Sequence, residues 1–343
     1  MTIKDIAAES GYSLGTVSRV LNAHPGVSQK ARDRVMAVVK KHRFQLNNNA
    51  KHLKQAESLA IAVVVKGTKN MLFASIVEIL QELISKEGYY CLIYYTDEFS
   101  NEIDFARQVI RERQPKGILF LGSNQTFFED GFSYIDIPCV IVTNSARDLH
   151  FPKLSSVCID DVLAAETAVR HLIGLGHRSI GVLGGDPAQS CAARVRFQGV
   201  KSAFQAEGIY FDPSTQYAVS TFSMESGYHA MKRLLQGSRK ISAVFAMADV
   251  LAIGAMRAIR ECGLRIPEDI SIIGFDGIEL GGYLSPKLST IRQPVHEIAS
   301  GSMKALLHCM RGGQPTHIIA PFTLISRESS KIISRTDTEE IRF

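Results

Sequence analysis

From Leu59 onward, short unbroken apolar runs alternate with stretches of helical period, and few folds accommodate that pattern. The runs lie at 60–65 (AIAVVV), 91–95, 117–121, 139–143, 179–183, 243–246 and 270–275, and helix-period segments at 73–86, 161–175, 196–205, 224–235 and 250–262 fall between them. A strand with one wet face alternates apolar and polar residues, whereas a strand apolar throughout has to be covered on both faces. Such strands separated by helices build βαβ units and a parallel sheet sandwiched by helices. Two sets of these units are present, so the expected body is α/β, with two doubly wound lobes. The break is expected near 151–156, with return crossings near 288–294 and 316–321. Open α/β sheets bind ligands beyond the carboxyl ends of their strands, so a cleft between the lobes is the default site.

The first sixth of the chain differs in kind. Residues 1–57 hold ten Lys/Arg and four Asp/Glu while the other 286 hold 29 and 30, so all of the positive excess lies in the head. A small basic module joined to a neutral one points to a polyanion, most often nucleic acid. Three short helices are expected. Thr2 and Asp5 make a capping-box-like start for the first, and Gly11 stops it. Ser13 is placed to cap the second, which buries Val17, Val20 and Leu21 and turns Leu14, Gly15, Ser18, Arg19 and Asn22 outward. The third starts at Ser28 and buries Ala31, Val35, Val38 and Val39. Two short helices joined by a tight glycine-containing turn form a helix-turn-helix, whose second helix fits the major groove. Gly15, Thr16 and Ser18 are small enough for close approach. The hydroxyls of Ser13, Thr16 and Ser18 suit phosphates, and Arg19 can reach a base edge. A helical cap used only for dimerisation would not need that charge or that hydroxyl-rich face.

Several polar and aromatic residues stand where the strands end. Asp276 follows Ile272-Ile273-Gly274-Phe275 and can accept from vicinal sugar hydroxyls. Arg196 is expected to open a helix after Gly184-Gly185-Asp186 and can donate to hydroxyls or ring oxygens. Phe73 and Phe222 are placed to stack on the apolar face of a pyranose or on a base, with a place in the core as the alternative. Asp249 follows Phe245-Ala246-Met247-Ala248, where it would be a site carboxylate or only a helix N-cap.

Other chemistries find little support. The six cysteines are scattered without a C-x-x-C pair, which suits reduced thiols in a cytoplasmic protein. No apolar run approaches the roughly 18–20 residues of a membrane span, and MTIKDIAAES does not read as a secretory signal. Gly174-Leu175-Gly176 precedes a strand and reads as a helix stop, not as a dinucleotide fingerprint. His171 and His177 flank a helix end without a third metal ligand in reach. No catalytic residue, cofactor or metal is expected.

TIKDIAAESGYSLGTVSRVLN followed by VSQKARDRV resembles the head of the lactose/galactose-repressor (LacI/GalR) family of bacterial transcription regulators. In the body, RVRFQG at 194–199, IGAMRA at 253–258, IPEDISIIGFD at 266–276 and LSTIRQP at 288–294 are similar to that family's effector-domain signatures. The resemblance implies a helix-turn-helix domain at 1–46 and a hinge helix at 47–57, a polar stretch that by composition alone reads equally as a linker. A two-lobed, periplasmic-binding-protein-like body follows at 58–330, then a tail at 331–343. The lobes would be about 58–155 plus 294–316 and about 156–290 plus 318–330. It implies base reading by Leu14 and Gly15, and a hinge in which Asn47, Ala50, Lys51 and Leu53 meet DNA, with Leu53 wedged into the minor groove. Leu46 stands where the family usually has proline. Arg196 and Asp276 would be the main polar contacts to an effector, with Phe222 as platform and Phe73 beside it. Ala248 replaces a usual asparagine, and Asn70-Met71-Leu72-Phe73 lacks one ring of the usual pattern. The implied protein is a homodimeric or tetrameric repressor that binds palindromic operator DNA under the control of a small effector, a sugar. The competing reading is a cytoplasmic sugar-binding module whose head contacts other proteins.

Overall fold

The computed structural model describes residues 3–21, 26–42, 59–237 and 240–333. The chain divides into two units, residues 1–56 and 57–343.

The first unit is built from α1 (Ile3–Ser10), α2 (Leu14–Leu21) and α3 (Gln29–Lys41). Gly11 ends α1 at φ +73°, a left-handed conformation that costs glycine nothing. Ser13 Oγ accepts from the Thr16 amide at 3.3 Å, and Ser28 Oγ accepts from Ala31 at 3.4 Å. Both serines therefore cap as the sequence suggests. Ile6, Val17, Val20, Ala31, Val35 and Val38 make the core; Leu21 and Val39 are half-buried at its rim. An ion pair of 2.7 Å between Lys41 and Glu9 ties α3 to α1. Thr2 and Asn22, the hinge at 47–57 with Asn47, Ala50, Lys51 and Leu53, and the tail from 334 lie outside the described residues.

The second unit holds two six-stranded sheets. The first comprises β1 (Ala60–Lys66), β2 (Tyr90–Thr96), β3 (Gly117–Leu121), β4 (Cys139–Val142), β5 (Leu154–Cys158) and β11 (His317–Ile319), in the order β11-β5-β4-β3-β1-β2. The second comprises β6 (Ile180–Gly184), β7 (Tyr217–Val219), β8 (Ala243–Ala246), β9 (Ser271–Asp276), β10 (Ser289–Arg292) and β12 (Thr323–Ile325), in the order β12-β10-β9-β8-β6-β7. Every pairing is parallel except β10–β12, which is antiparallel at the sheet edge. β1, β3 and β9 are buried along their whole length, as doubly covered strands must be. The covering helices are α4 (Met71–Lys86), α5 (Glu102–Arg113), α6 (Gln125–Gly131) and α11 (Val295–Met310) in the first lobe. In the second they are α7 (Asp161–Gly174), α8 (Cys191–Ala206), α9 (Met224–Gln236) and α10 (Asp249–Glu261). The helix pairs α7–α8 and α9–α10 pack closely: a Cβ on Gly199 would run into the Val162 carbonyl, and one on Gly254 into that of Met224.

Three expectations need correction. The first crossing follows Cys158, not 151–156, because LSSVC forms β5 of the first sheet. Its serines are buried yet satisfied: Ser155 Oγ accepts from the Thr316 amide at 3.0 Å, and Ser156 Oγ meets His317 Nδ1 at 2.9 Å. β11 likewise belongs to the first lobe and not to a second-lobe segment starting at 318, so the last crossing lies between 319 and 323. Finally, α8 begins at Cys191, with Ser190 as its cap, so Arg196 stands in the second turn and does not open the helix.

Candidate functional site

On the head, Ser13, Leu14, Gly15 and Arg19 are exposed and Thr16 is half-exposed along one end of α2. Ser13 Oγ and Thr16 Oγ1 lie 3.0 Å apart, and Arg19 Nε folds back to donate to the Gly15 carbonyl at 3.3 Å. Leu14 is an apolar side chain 47% exposed, a position that adds little to the stability of the head. Ser18 lies on this helix, but its side chain is outside the described residues. Lys30, Arg34, Lys40 and Lys41 are exposed on α3.

In the body, the carboxyl ends of both sheets face a cavity of about 880 Å³. Four of the five expected residues line it: Phe73, Arg196, Phe222 and Asp276. Asp276 ends β9 at φ +114°, a region that a non-glycine residue occupies only when its surroundings hold it there. Gln293 Nε2 donates to Asp276 Oδ1 at 2.9 Å, and Asn70 Nδ2 reaches across from the first lobe to Oδ2 at 3.3 Å. Burial lifts the Asp276 carboxyl to about 6 against the opposing pull of Arg196. Thr143, also at positive φ (78°), lines the cavity from the first lobe.

Arg196 is 5% exposed, and its partners are mostly structural. Nε donates to Asp161 Oδ1 at 2.7 Å, Nη1 donates to the Met247 carbonyl at 2.6 Å, and the guanidinium lies 3.8 Å from the Phe275 ring centroid. Asp276 is 3.9 Å away, so the expected pair exists only at long range. Asp161, the closer carboxylate, was not expected from the sequence. Its signal is the pair Asp160-Asp161 directly after a strand end: Asp160 caps α7 through the Leu163 amide, leaving Asp161 free to turn inward.

Asp249 corrects the remaining expectation. It does not line the cavity, and it is not the N-cap, a position held by Ala248 without a side-chain bond. Its carboxyl is fully buried beneath the site, accepting from the Ile278 amide at 2.8 Å and from Thr290 Oγ1 at 2.7 Å. Burial, with Asp276 nearby, pushes it up to about 8. Asp249 is therefore a neutral clamp joining α10 to β10 and to the turn after Asp276.

The cavity wall also contains groups that sequence reading missed. Lys66 Nζ is buried 2.6 Å from Glu102 Oε2, and Glu102 Oε1 accepts from the Asn124 amide at 2.6 Å. Ser123 Oγ and Gln293 Oε1 are buried without a hydrogen-bond partner, and both residues line the cavity. Further bonds bridge the lobes: Asn124 Nδ2 donates to the Gln189 carbonyl at 3.1 Å, and Arg194 Nη2 to Gln125 Oε1 at 3.5 Å. His171 and His177 are structural: His177 Nδ1 pairs with Ser242 Oγ at 3.0 Å, and His171 Nε2 with Ser330 Oγ at 3.3 Å. Among the described residues no cluster of His, Cys, Asp and Glu could hold a metal ion, and no helix is long and apolar enough to cross a membrane.

Residues 2–47 match the bacterial regulatory proteins of the lacI family, and residues 169–330 match a periplasmic binding protein-like domain. The chain is 32% identical over 342 residues to the HTH-type transcriptional regulator MalR of Clostridium butyricum, covering 96% of this chain and 99% of that one. It belongs to the LacI family. The HTH-type transcriptional repressor CytR of Escherichia coli is 34% identical over 313 residues, covering 91% of this chain and 90% of that one. Among solved structures, a transcriptional regulator CelR–cellobiose complex superposes with a TM-score of 0.70 at 26% identity, covering 96% of this chain and all of that one. The lac repressor dimer bound to operator and an anti-inducer shares the fold, with a TM-score of 0.70 and coverage of 96% and 99% at 24% identity. This LacI-family member is thus a DNA-binding transcriptional regulator with an effector-binding body, not an enzyme. The match over the head sets aside the reading of a sugar-binding module with a protein-contacting cap.

Proposed function

We propose that the protein is a cytoplasmic repressor that binds a palindromic operator as a homodimer and responds to a sugar held between its lobes. One recognition helix reads half a site, and a two-fold dimer reads both halves about one helical turn apart. Base reading is assigned to Leu14 and Arg19, with Ser13, Thr16 and Ser18 on phosphates, Gly15 allowing close approach and Asn22 included from the sequence alone. The hinge residues Asn47, Ala50, Lys51 and Leu53 complete the interface by family resemblance.

The observation that carries the effector reading is the setting of Asp276. It is a buried acceptor bracketed by the donors Asn70, Gln293 and Arg196, in a cavity also lined by the rings of Phe73 and Phe222. Acceptor, donors and rings together suit a polyol with an apolar face. Structural relatives support this choice: the CelR complex contains cellobiose, and a LacI family regulator from Enterococcus faecium, with a TM-score of 0.69 at 26% identity, contains ribose.

The test is a thermal-shift screen of sugars and nucleosides, since a ligand stabilises the folded state according to its occupancy. It is followed by gel-shift titration of operator DNA with each hit. A sugar that raises Tm and changes operator affinity supports the proposal. Stabilisation by nucleosides alone refutes the sugar assignment.

A further inference from the structure

The cavity continues well beyond Asp276. On the first lobe, its lining residues stand at the ends of β4 (Asn144), β3 (Ser123), β1 (Lys66) and β2 (Tyr95 to Phe99), four neighbouring strands of one sheet. With about 4.8 Å between neighbours, that wall spans roughly 14 Å. The second lobe matches it, with Asp276 at the end of β9, Gly185 beyond β6 and Phe222 beyond β7, at the far edge of its own sheet. Such a span is more than twice the reach of one pyranose ring and close to that of two linked rings.

The outer end repeats the equipment of the inner one. Glu98, half-buried and raised by that burial, supplies a carboxylate there, and it faces the Phe222 backbone of the opposite lobe. Tyr95 and Phe99 line the same end with rings 56% and 61% exposed. Exposed rings at the mouth of a polar cavity contribute little to folding and suit stacking on a sugar face. Between the two ends, Ser123 Oγ is buried and unpartnered in the cavity wall, a position that a bridging or neighbouring oxygen would satisfy.

We infer that the effector is a disaccharide, with one ring seated at Asp276 and the second against Glu98, Tyr95 and Phe99. This rests on the sugar reading above. Calorimetric titration of the full-length protein with glucose, ribose, maltose, cellobiose, lactose, sucrose and adenosine tests both. A disaccharide that binds at least about tenfold tighter than glucose or ribose is the expected result. In the double variant E98Q/F99A that preference should collapse toward unity, with Tm close to wild type showing that the fold is kept. A monosaccharide that binds as tightly as every disaccharide, or a preference unchanged in the variant, overturns the two-ring inference and leaves the sugar reading standing. Binding of adenosine alone, or of nothing in the panel, removes the sugar reading as well.

Discussion

Asp276 combines a costly backbone conformation with a buried carboxyl in the cavity wall, held there by Gln293 and Asn70. Replacing it by asparagine keeps the shape but adds donors where only acceptors stood, so Asp276→Asn should abolish the effector response and leave operator affinity nearly intact. The same carboxyl sets a pH dependence. Ionised, it accepts through both oxygens; protonated, one of them becomes a donor, and since it is held at about 6, effector affinity should weaken as pH falls below that value. Calorimetry between pH 5 and 8 reads this, and an unchanged affinity at pH 5 removes Asp276 from the site. Asp249 makes a separate prediction. Its folded value near 8 lies above the 3.8 of an unperturbed aspartate, so the folded state holds a proton that the unfolded state has released. Its contribution to stability is therefore full at low pH and lost as pH rises toward 8. Asp276 has finished titrating by then, and His177, pushed down to about 4 by burial, acts only at lower pH and in the opposite sense. Wild type should lose Tm from pH 6.5 to 8.5, and Asp249→Asn should show a flatter profile. At this scale the sequence located Asp276, Arg196, Phe73 and Phe222 because each stands just beyond or within reach of an apolar run. It could not separate Asp249 from them, since a residue after a strand can turn into the cleft or under it. Asp161, Asn70 and Gln293 were not singled out because their partners, Arg196 for the first and Asp276 for the other two, lie far away in sequence and only the fold brings them together.

The elements were legible wherever one physical rule acted alone. Runs such as AIAVVV allow no alternative to a doubly covered strand, and the caps at Ser13 and Ser28 formed as read. β5 and β10, with LSSVC and STIR, escaped notice because their buried serines and threonine are tolerated only through partners distant in sequence, such as Thr316, Ser330 and Asp249. Close helix packing yields a direct test. Gly199→Val would push α7 from α8, and overpacking of that kind costs about 3 kcal/mol, measurable as a lowered urea midpoint. On α2, Arg19→Ala should cost about 1–3 kcal/mol on the operator, much less on random DNA, and leave Tm unchanged because the side chain is exposed. Equal losses on both DNAs, read by anisotropy, would make Arg19 a phosphate contact.

For the whole molecule, the two binding events are bound by reciprocity: the factor by which the effector changes operator affinity must equal the factor by which operator changes effector affinity. A coupling of about 1–3 kcal/mol is typical. Titrations in both directions should give the same factor, and Asp276→Asn should bring both close to one. The arrangement of β11 and of the strand-like end of the body has a different consequence, in the timing of synthesis. β11, at 317–319, completes the first sheet, while in the second lobe the Ser329 carbonyl accepts from the Ile272 amide at 2.7 Å and the Lys331 carbonyl pairs with His177 Nε2 at 3.2 Å. Both lobes therefore gain their last contacts only after residues 317–331 have left the ribosome. The described core and ion pair of the head lie among residues 6–41, so the head can form far sooner. At ordinary elongation rates the interval is roughly 15–60 s. Throughout it, a nascent chain presents a folded DNA-reading surface with no finished lobe to answer a signal, so messages broken near their 3′ end would yield heads beyond the effector's control.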